Sequence, residues 1–411
     1  MPTFDRLSDT QLERVLRGEA LESGAALDAL TTGLDSLVDF LREQYLREYI
    51  PQGGSKIKFV TGRPGSGKSH FSRVMLEQAQ SLGYLTATLS AKDVWLHDFR
   101  EIYLQILRQC DIQRVLQDCA DAIMRSMGYD PSQIGEGRKL MDYLSEQGEG
   151  DPLSKSEIRG ALRSFFTRNP MLDSCFAACC SLLTGDLLGH PALEPASREL
   201  ILAFLNGDKS VRTAQLRALG LSPAPVTRYN ARHLLRSLAE VIHLGGHPGL
   251  VIVIDDMETL LNRAVNDAIR YTKLRREDTY ESIRQLIDDI DSMRYVMFLL
   301  CFDRALIDDE SYGIKSYQAL WMRIQNEVIS PRFNRFADII DLDRYADEFY
   351  SPAVLAEMSE RLARLLQVNG REAVPLTEED ARALIERSQY GGLGLPYMVN
   401  RYLVEGGGQN V

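Results

Sequence analysis

The residues best suited to chemistry form one run, Phe59-Val60-Thr61-Gly62-Arg63-Pro64-Gly65-Ser66-Gly67-Lys68-Ser69-His70-Phe71. The spacing Gly62-x4-Gly67-Lys68-Ser69 lets successive backbone N–H groups turn inward around an anion. Glycines stand where a Cβ would block close approach or where φ must be positive. Such a loop cradles phosphate, so Gly62, Arg63, Pro64, Gly65, Ser66, Gly67 and His70 are the expected cradle. Lys68 would reach the β- and γ-phosphates as a mobile charge. Ser69 would offer its hydroxyl oxygen to Mg2+, and the N-terminus of a helix over 68–82 would add its dipole. Apolar residues at Ile57, Phe59 and Val60 precede the loop, and the amphipathic run Phe71, Val74, Met75, Ala79, Leu82 follows it. The strand and helix that the motif requires are therefore both predicted, and the expected ligand is ATP or ADP with Mg2+.

A second signature lies far downstream. Leu250-Val251-Ile252-Val253-Ile254 is a continuous apolar run, as a strand buried on both faces requires, and it ends in Asp255-Asp256-Met257-Glu258. At the carboxyl end of such a strand Asp255 can orient a Mg2+-bound water beside Ser69, and a following acid can polarise the attacking water. Asp256 is the first candidate for that base. Glu258 is the fallback, because an aspartate is one methylene shorter than the glutamate common at such positions. The plain alternative is an aspartate capping a helix over 257–262. Tyr295–Phe302 reads as a further buried strand, with Asp303 at its end as either a γ-phosphate sensor or a cap.

Arg332 and Arg335, with Arg323 third, stand before a strand-like stretch at 337–342. A planar arginine fork suits the charge spreading over a transferring phosphoryl group, and supplying it from a neighbouring subunit makes hydrolysis depend on assembly. Equally, these are surface arginines flanking Phe333. Arg401, one turn into the last predicted helix, is either a lid arginine touching the phosphates or a solvated side chain.

These residues need positioning elements, and the chain divides accordingly. Residues 1–50 read as helical throughout, 51–95 as the first part of a phosphate-loop core, 96–245 as an all-helical insertion, 246–345 as the second part of the core, and 346–411 as a helical lid. The fold class is α/β with a parallel sheet. The formal net charge of −11 excludes a surface that is basic all over, although Lys273-Leu274-Arg275-Arg276 or the stretch Arg212–Arg228 could form a local strip for DNA. No apolar segment approaches about 18 residues and no charged-then-apolar leader opens the chain, so a cytoplasmic protein is expected. The six cysteines are scattered, and Cys175, Cys179 and Cys180 fall in an apolar helical run, which predicts buried thiols. His243 and His247 have helical metal-ligand spacing, but Gly245, Gly246 and Pro248 forbid the helix.

With both signatures, the sensor-like strand end, the arginines and the lid laid out, the chain resembles the AAA+ branch of P-loop ATPases. More narrowly, it is similar to the BREX phage-defence ATP-binding proteins of the BrxD/BrxC-like group. The residues that carry this likeness are Arg14-Val15-Leu16-Arg17-Gly18, Gly53-Gly54-Ser55-Lys56-Ile57-Lys58-Phe59-Val60, the phosphate loop with His70-Phe71, and Tyr317-Gln318-Ala319-Leu320-Trp321-Met322-Arg323. The resemblance implies an ATPase that works with copies of itself or with helicase, methyltransferase or nuclease subunits of a defence system. Two alternatives stay open: a nucleotide-gated binding module with incidental hydrolysis, and an ATP-dependent DNA-loading factor.

Overall fold

The computed structural model of the chain describes residues 4–135, 137–261, 269–328 and 332–405. Two expectations extend outside the described residues: the end of the cap helix at Asn262, and residues 406–411 of the lid. Five parallel strands form one sheet in the order β2-β3-β4-β1-β5, namely β1 (Ser55–Gly62), β2 (Leu85–Ser90), β3 (Leu250–Asp255), β4 (Val296–Asp303) and β5 (Ile339–Asp341). Parallel neighbours need crossover connections. The helix Lys68–Ser81 carries the chain from β1 to β2, and Lys273–Asp289 leads from β3 to β4. The whole helical insertion lies between β2 and β3.

Because both faces of the sheet are covered, alternate residues of each strand enter different cores. Ile252, Ile254, Phe298, Leu300 and Phe302 join one cluster, which continues into the insertion through Phe99, Val115, Phe176 and Leu238. Val251, Val253, Met297, Leu299 and Cys301 join the other, together with Phe71 and Met75, the N-terminal helices and the C-terminal helices. The insertion is thus one of the sheet's two helical layers. Five of its helices begin at aspartates, Asp98, Asp111, Asp130, Asp151 and Asp173, whose carboxylates accept first-turn N–H groups. Each such cap stabilises its helix by about 1 kcal/mol. All six cysteines are buried free thiols.

Before the sheet the chain is helical in pieces broken around Gly18 and Gly33: Asp9–Leu16, Ala25–Leu30 and Asp35–Leu41 are separate helices, followed by a π-helical segment Arg42–Tyr49. The last strand is only three residues long, because its final ladder residue, Asp341, is already the cap of the helix Leu342–Phe349, its carboxylate accepting from the Asp343 and Arg344 N–H groups. The C-terminal helices Pro352–Val368, Glu378–Ser388 and Leu395–Val404 pack together as a small bundle. Among the described residues no helix is long and apolar enough to cross a membrane.

Candidate functional site

Strand register builds the site. Pairing β1 with β4 sets Gly62 opposite Asp303, and pairing β2 with β3 sets Ser90 opposite Asp255. The phosphate loop and the carboxylates therefore meet at the carboxyl edge of the sheet, where parallel α/β sheets take their ligands. Gly67 adopts a left-handed conformation (φ 92°) and delivers the chain into the helix Lys68–Ser81. Gly65 is left-handed as well (φ 78°), and a Cβ there would come within 2.3 Å of the Tyr397 Cβ.

Lys68 is buried and folded back over its own loop. Its ammonium donates to the carbonyls of Gly62 (3.2 Å) and Arg63 (3.0 Å) and pairs with Asp303 at 2.6 Å. Asp303 in turn donates its N–H to the Glu258 carboxylate (3.3 Å). Burial, then the charge of Asp303, pushes Glu258 up to about 7. Burial also pushes the Asp255 carboxyl up, while hydrogen bonds from the Asp256 N–H (2.8 Å) and the Ser69 hydroxyl favour its ionised form. Asp256 sits in a left-handed conformation (φ 59°), accepts from the Ser90 hydroxyl at 2.6 Å and pairs with Lys92.

A cavity of about 650 Å3 opens over these groups. Its lining combines polar residues, Gly65, Ser66, Gly67, Lys68, Ser69, Arg73, Lys92, Asp255 and Asp256, with apolar ones, Leu30, Leu34, Tyr350, Met358 and Leu362. This amphiphilic shape suits an anionic chain joined to a flat ring. His70 lines the cavity too and bonds the Thr31 hydroxyl at 2.9 Å; desolvation lowers its imidazole to about 4. The buried Ser66 hydroxyl has no hydrogen-bond partner among the described residues. For a cation the adjacent oxygens of Ser69 and Asp255 are a fitting pair, since Mg2+ keeps several waters and takes the rest of its shell from one or two carboxylates and phosphates.

The remaining expected residues lie elsewhere. Arg63 turns away from the cavity. Its N–H donates to Asp343 (2.7 Å), its side chain pairs with the same carboxylate (3.1 Å), and its guanidinium donates to the carbonyls of Ser388 (2.5 Å) and Gly391 (2.9 Å) in the C-terminal bundle. Pro64 and Arg401 line a separate cavity with Arg387, Leu393 and Met398, and Arg401 pairs with Glu405. Arg332 lines a third cavity with Phe333 and Phe336, and Arg335 lies 5.4 Å from the Phe40 ring. Arg323 pairs with Asp288. None of the three arginines 323, 332 and 335 lines the cavity at the phosphate loop within this chain. His247 is bonded to Asp118 (3.0 Å), and His243 stacks on Tyr295 at 3.7 Å.

Sequence reasoning passed over Arg73, Lys92, Tyr397, Asn400 and the N-terminal residues Arg14 to Leu34 that close the cavity. Arg73 was within reach, because it stands four residues after Ser69 on one helix face. The others come from distant segments and carry no local signal.

Comparison with known proteins adds one finding. The family profile described as BREX system ATP-binding protein BrxC/D matches residues 11–126 and 177–400. Besides the two ends, 1–10 and 401–411, the unmatched residues are 127–176, wholly within the helical insertion, so the match includes every described strand and every residue named above as lining the cavity. Neither curated proteins nor solved structures give a match. With a phosphate loop, an opposed carboxylate pair and a family match over most of its length, the chain belongs to the BrxC/D family of BREX system ATP-binding proteins.

Proposed function

We propose that the chain is an AAA+-type ATPase of a bacterial anti-phage defence system, cytoplasmic, binding ATP with Mg2+ and hydrolysing it slowly or on assembly. The observation that carries this reading is the convergence of Lys68, Ser69, Asp255 and Asp303 at one sheet edge beneath a cavity of nucleotide size. The placement of β4 between the loop strand and the carboxylate strand supports it, because that strand brings Asp303 to the phosphate end. Bound Mg2+ would neutralise phosphate charge and orient water. Lys68 would leave Asp303 for the phosphates, Asp255 and Ser69 would hold the cation, and Asp256 would accept the proton of the attacking water. Asp256 lines the cavity whereas Glu258 does not, which makes Asp256 the nearer base. Arg332 or Arg335 would act on the site of a neighbouring copy.

A second reading is a nucleotide-gated module with little turnover, recruiting other defence proteins according to its bound nucleotide. It is favoured by the hold of Ser90 and Lys92 on Asp256. Phosphate release measured across protein concentrations separates the two. Turnover that rises with concentration and is lost in Asp256→Asn and in Arg332→Ala/Arg335→Ala supports the assembling ATPase. Nucleotide binding without turnover at any concentration overturns it in favour of the gated module.

A further inference from the structure

The loop that leaves β2 does more than hold Asp256. Past Ser90 and Lys92 it presents Trp95 and His97, and two distant segments are stitched onto it. The Tyr271 hydroxyl accepts the Leu96 N–H (2.9 Å) and donates to the Val94 carbonyl (3.1 Å), which fixes the segment running into the helix Lys273–Asp289. Arg100, at the start of the next helix, donates to the Val226 carbonyl (3.1 Å), which fixes the segment ahead of Arg228 and Tyr229. Two basic stretches far apart in the chain thereby meet.

Their side chains are arranged as stacked cations and rings. The exposed Arg275 guanidinium lies 4.2 Å from the Trp95 ring centroid, and Trp95 in turn meets Tyr271 edge-on at 5.4 Å. The exposed Arg228 lies 4.9 Å from the ring of Tyr229, which is 78% exposed although no core uses it. Leu274 beside them is also exposed at 68%. Desolvation and then the charge of Arg275, with a smaller contribution from Arg228, hold His97 below its usual range, against the pull of Asp98 and Asp278. Asp98 is occupied in capping the helix Phe99–Gln109. Arg276, by contrast, is buried against the Leu260 carbonyl and takes no part in the surface.

We propose that Trp95, Arg228, Tyr229 and Arg275 form a platform for single-stranded nucleic acid. Arginines that ride on surface rings, here the exposed Tyr229 and the half-buried Trp95, offer phosphates a charge and unpaired bases a stacking face, and a duplex can use only the first of these. The strand bound there touches the same loop whose Ser90 and Lys92 restrain Asp256, so it also biases hydrolysis. That second consequence rests on the ATPase reading above, while binding itself does not.

The test is fluorescence anisotropy of a labelled oligothymidylate of about 16 nucleotides with the full chain, without nucleotide. Saturable binding is expected. It should weaken about tenfold or more in Arg228→Glu/Arg275→Glu, severalfold in Tyr229→Ala, and not at all in Lys155→Glu, an exposed lysine on the insertion. The salt slope should fall by about 1.4 for two lost phosphate contacts. Tyr229→Ala, at an exposed ring, keeps the test valid if charge reversal harms folding. No binding by the wild-type chain, or equal binding by the variants, overturns the platform. Equal affinity for a duplex of the same length overturns its single-strand character. Phosphate release with and without the oligonucleotide then tests the link: tight binding with unchanged turnover overturns only the bias on Asp256, and absence of turnover in every condition counts against the ATPase reading alone.

Discussion

Alternate residues of the same strands face two different interiors. On the insertion side, Ile252, Phe298 and Leu300 enter an apolar core that runs out through helices with aspartate caps. On the opposite side, the strands share their cover with buried charge: Lys58, fully buried, donates to the carbonyls of Phe336 (3.1 Å) and Ala337 (2.6 Å), and Lys68, Asp341 and Asp343 are buried nearby. An apolar interior gains from every methylene removed from water. A charged one contributes little net stability, because desolvation offsets the attraction, yet it loses heavily when one partner is removed. Both sides are stabilised by apolar burial, and the insertion side also buries Asp186, Glu240 and Arg276, so the sides differ in where the charge lies: Lys68, Asp341 and Asp343 are buried at the carboxyl edge of the sheet.

The sharpest break of this comparison is Phe166→Ala, which empties a fully buried site in the insertion. It should destabilise by about 3–5 kcal/mol, and the midpoint at which bound fluorescent nucleotide is lost should move with the circular-dichroism midpoint. An insertion that melts alone while nucleotide stays bound would show two cores rather than one. Next comes Lys68→Ala on the other face. Nucleotide affinity by fluorescence titration should drop about 100-fold, or about 2.7 kcal/mol, and the melting temperature without nucleotide should fall as well, because Asp303 is left without its cation. An unchanged melting temperature would show that water replaces the ammonium at Asp303 at no cost.

Glu258 gives a pH signature to the charged face. The unfolded carboxyl releases its proton near 4.5 and the folded one only near 7, so the folded state binds the extra proton between these values. Stability from this group is thus present below about 4.5 and lost as pH rises through 7, a change of about 3 kcal/mol. Chemical denaturation of Glu258→Gln across this window should show a flatter profile than the wild-type chain. The smallest effect is expected for Arg63→Ala. Losing the contacts to Asp343 and the C-terminal bundle carbonyls should raise hydrogen exchange at Gly391 and Gly392 about fivefold, equivalent to about 1 kcal/mol, without altering the insertion.

Much of this architecture was legible in the chain. Leu85–Ser90 and Pro352–Val368 carry their own periodicity and end at the residues expected from it. The loop at Gly62 to Ser69 was readable because glycine spacing is a local backbone constraint. The route of Arg63 was not: its partners, Asp343 and the carbonyls of Ser388 and Gly391, are some 280 residues or more away. The helical character of the N-terminal segment was legible from its leucine spacing, whereas its docking was not: Asn400 of the last helix donates to the Val15 carbonyl (2.8 Å).

The amino-acid sequence by itself determined the phosphate loop, the acid-tipped strand and the helical character of the insertion, since each depends on interactions within a few residues or on a hydrophobic period. Tertiary structure alone decided what those pieces meet. Strand register sets Asp303 opposite Gly62, the left-handed turn at Asp256 gives it to Ser90 and Lys92, and the crossing of remote segments brings Arg228 beside the loop that carries Trp95. Such pairings arise from packing in three dimensions, and no local preference along the chain encodes them.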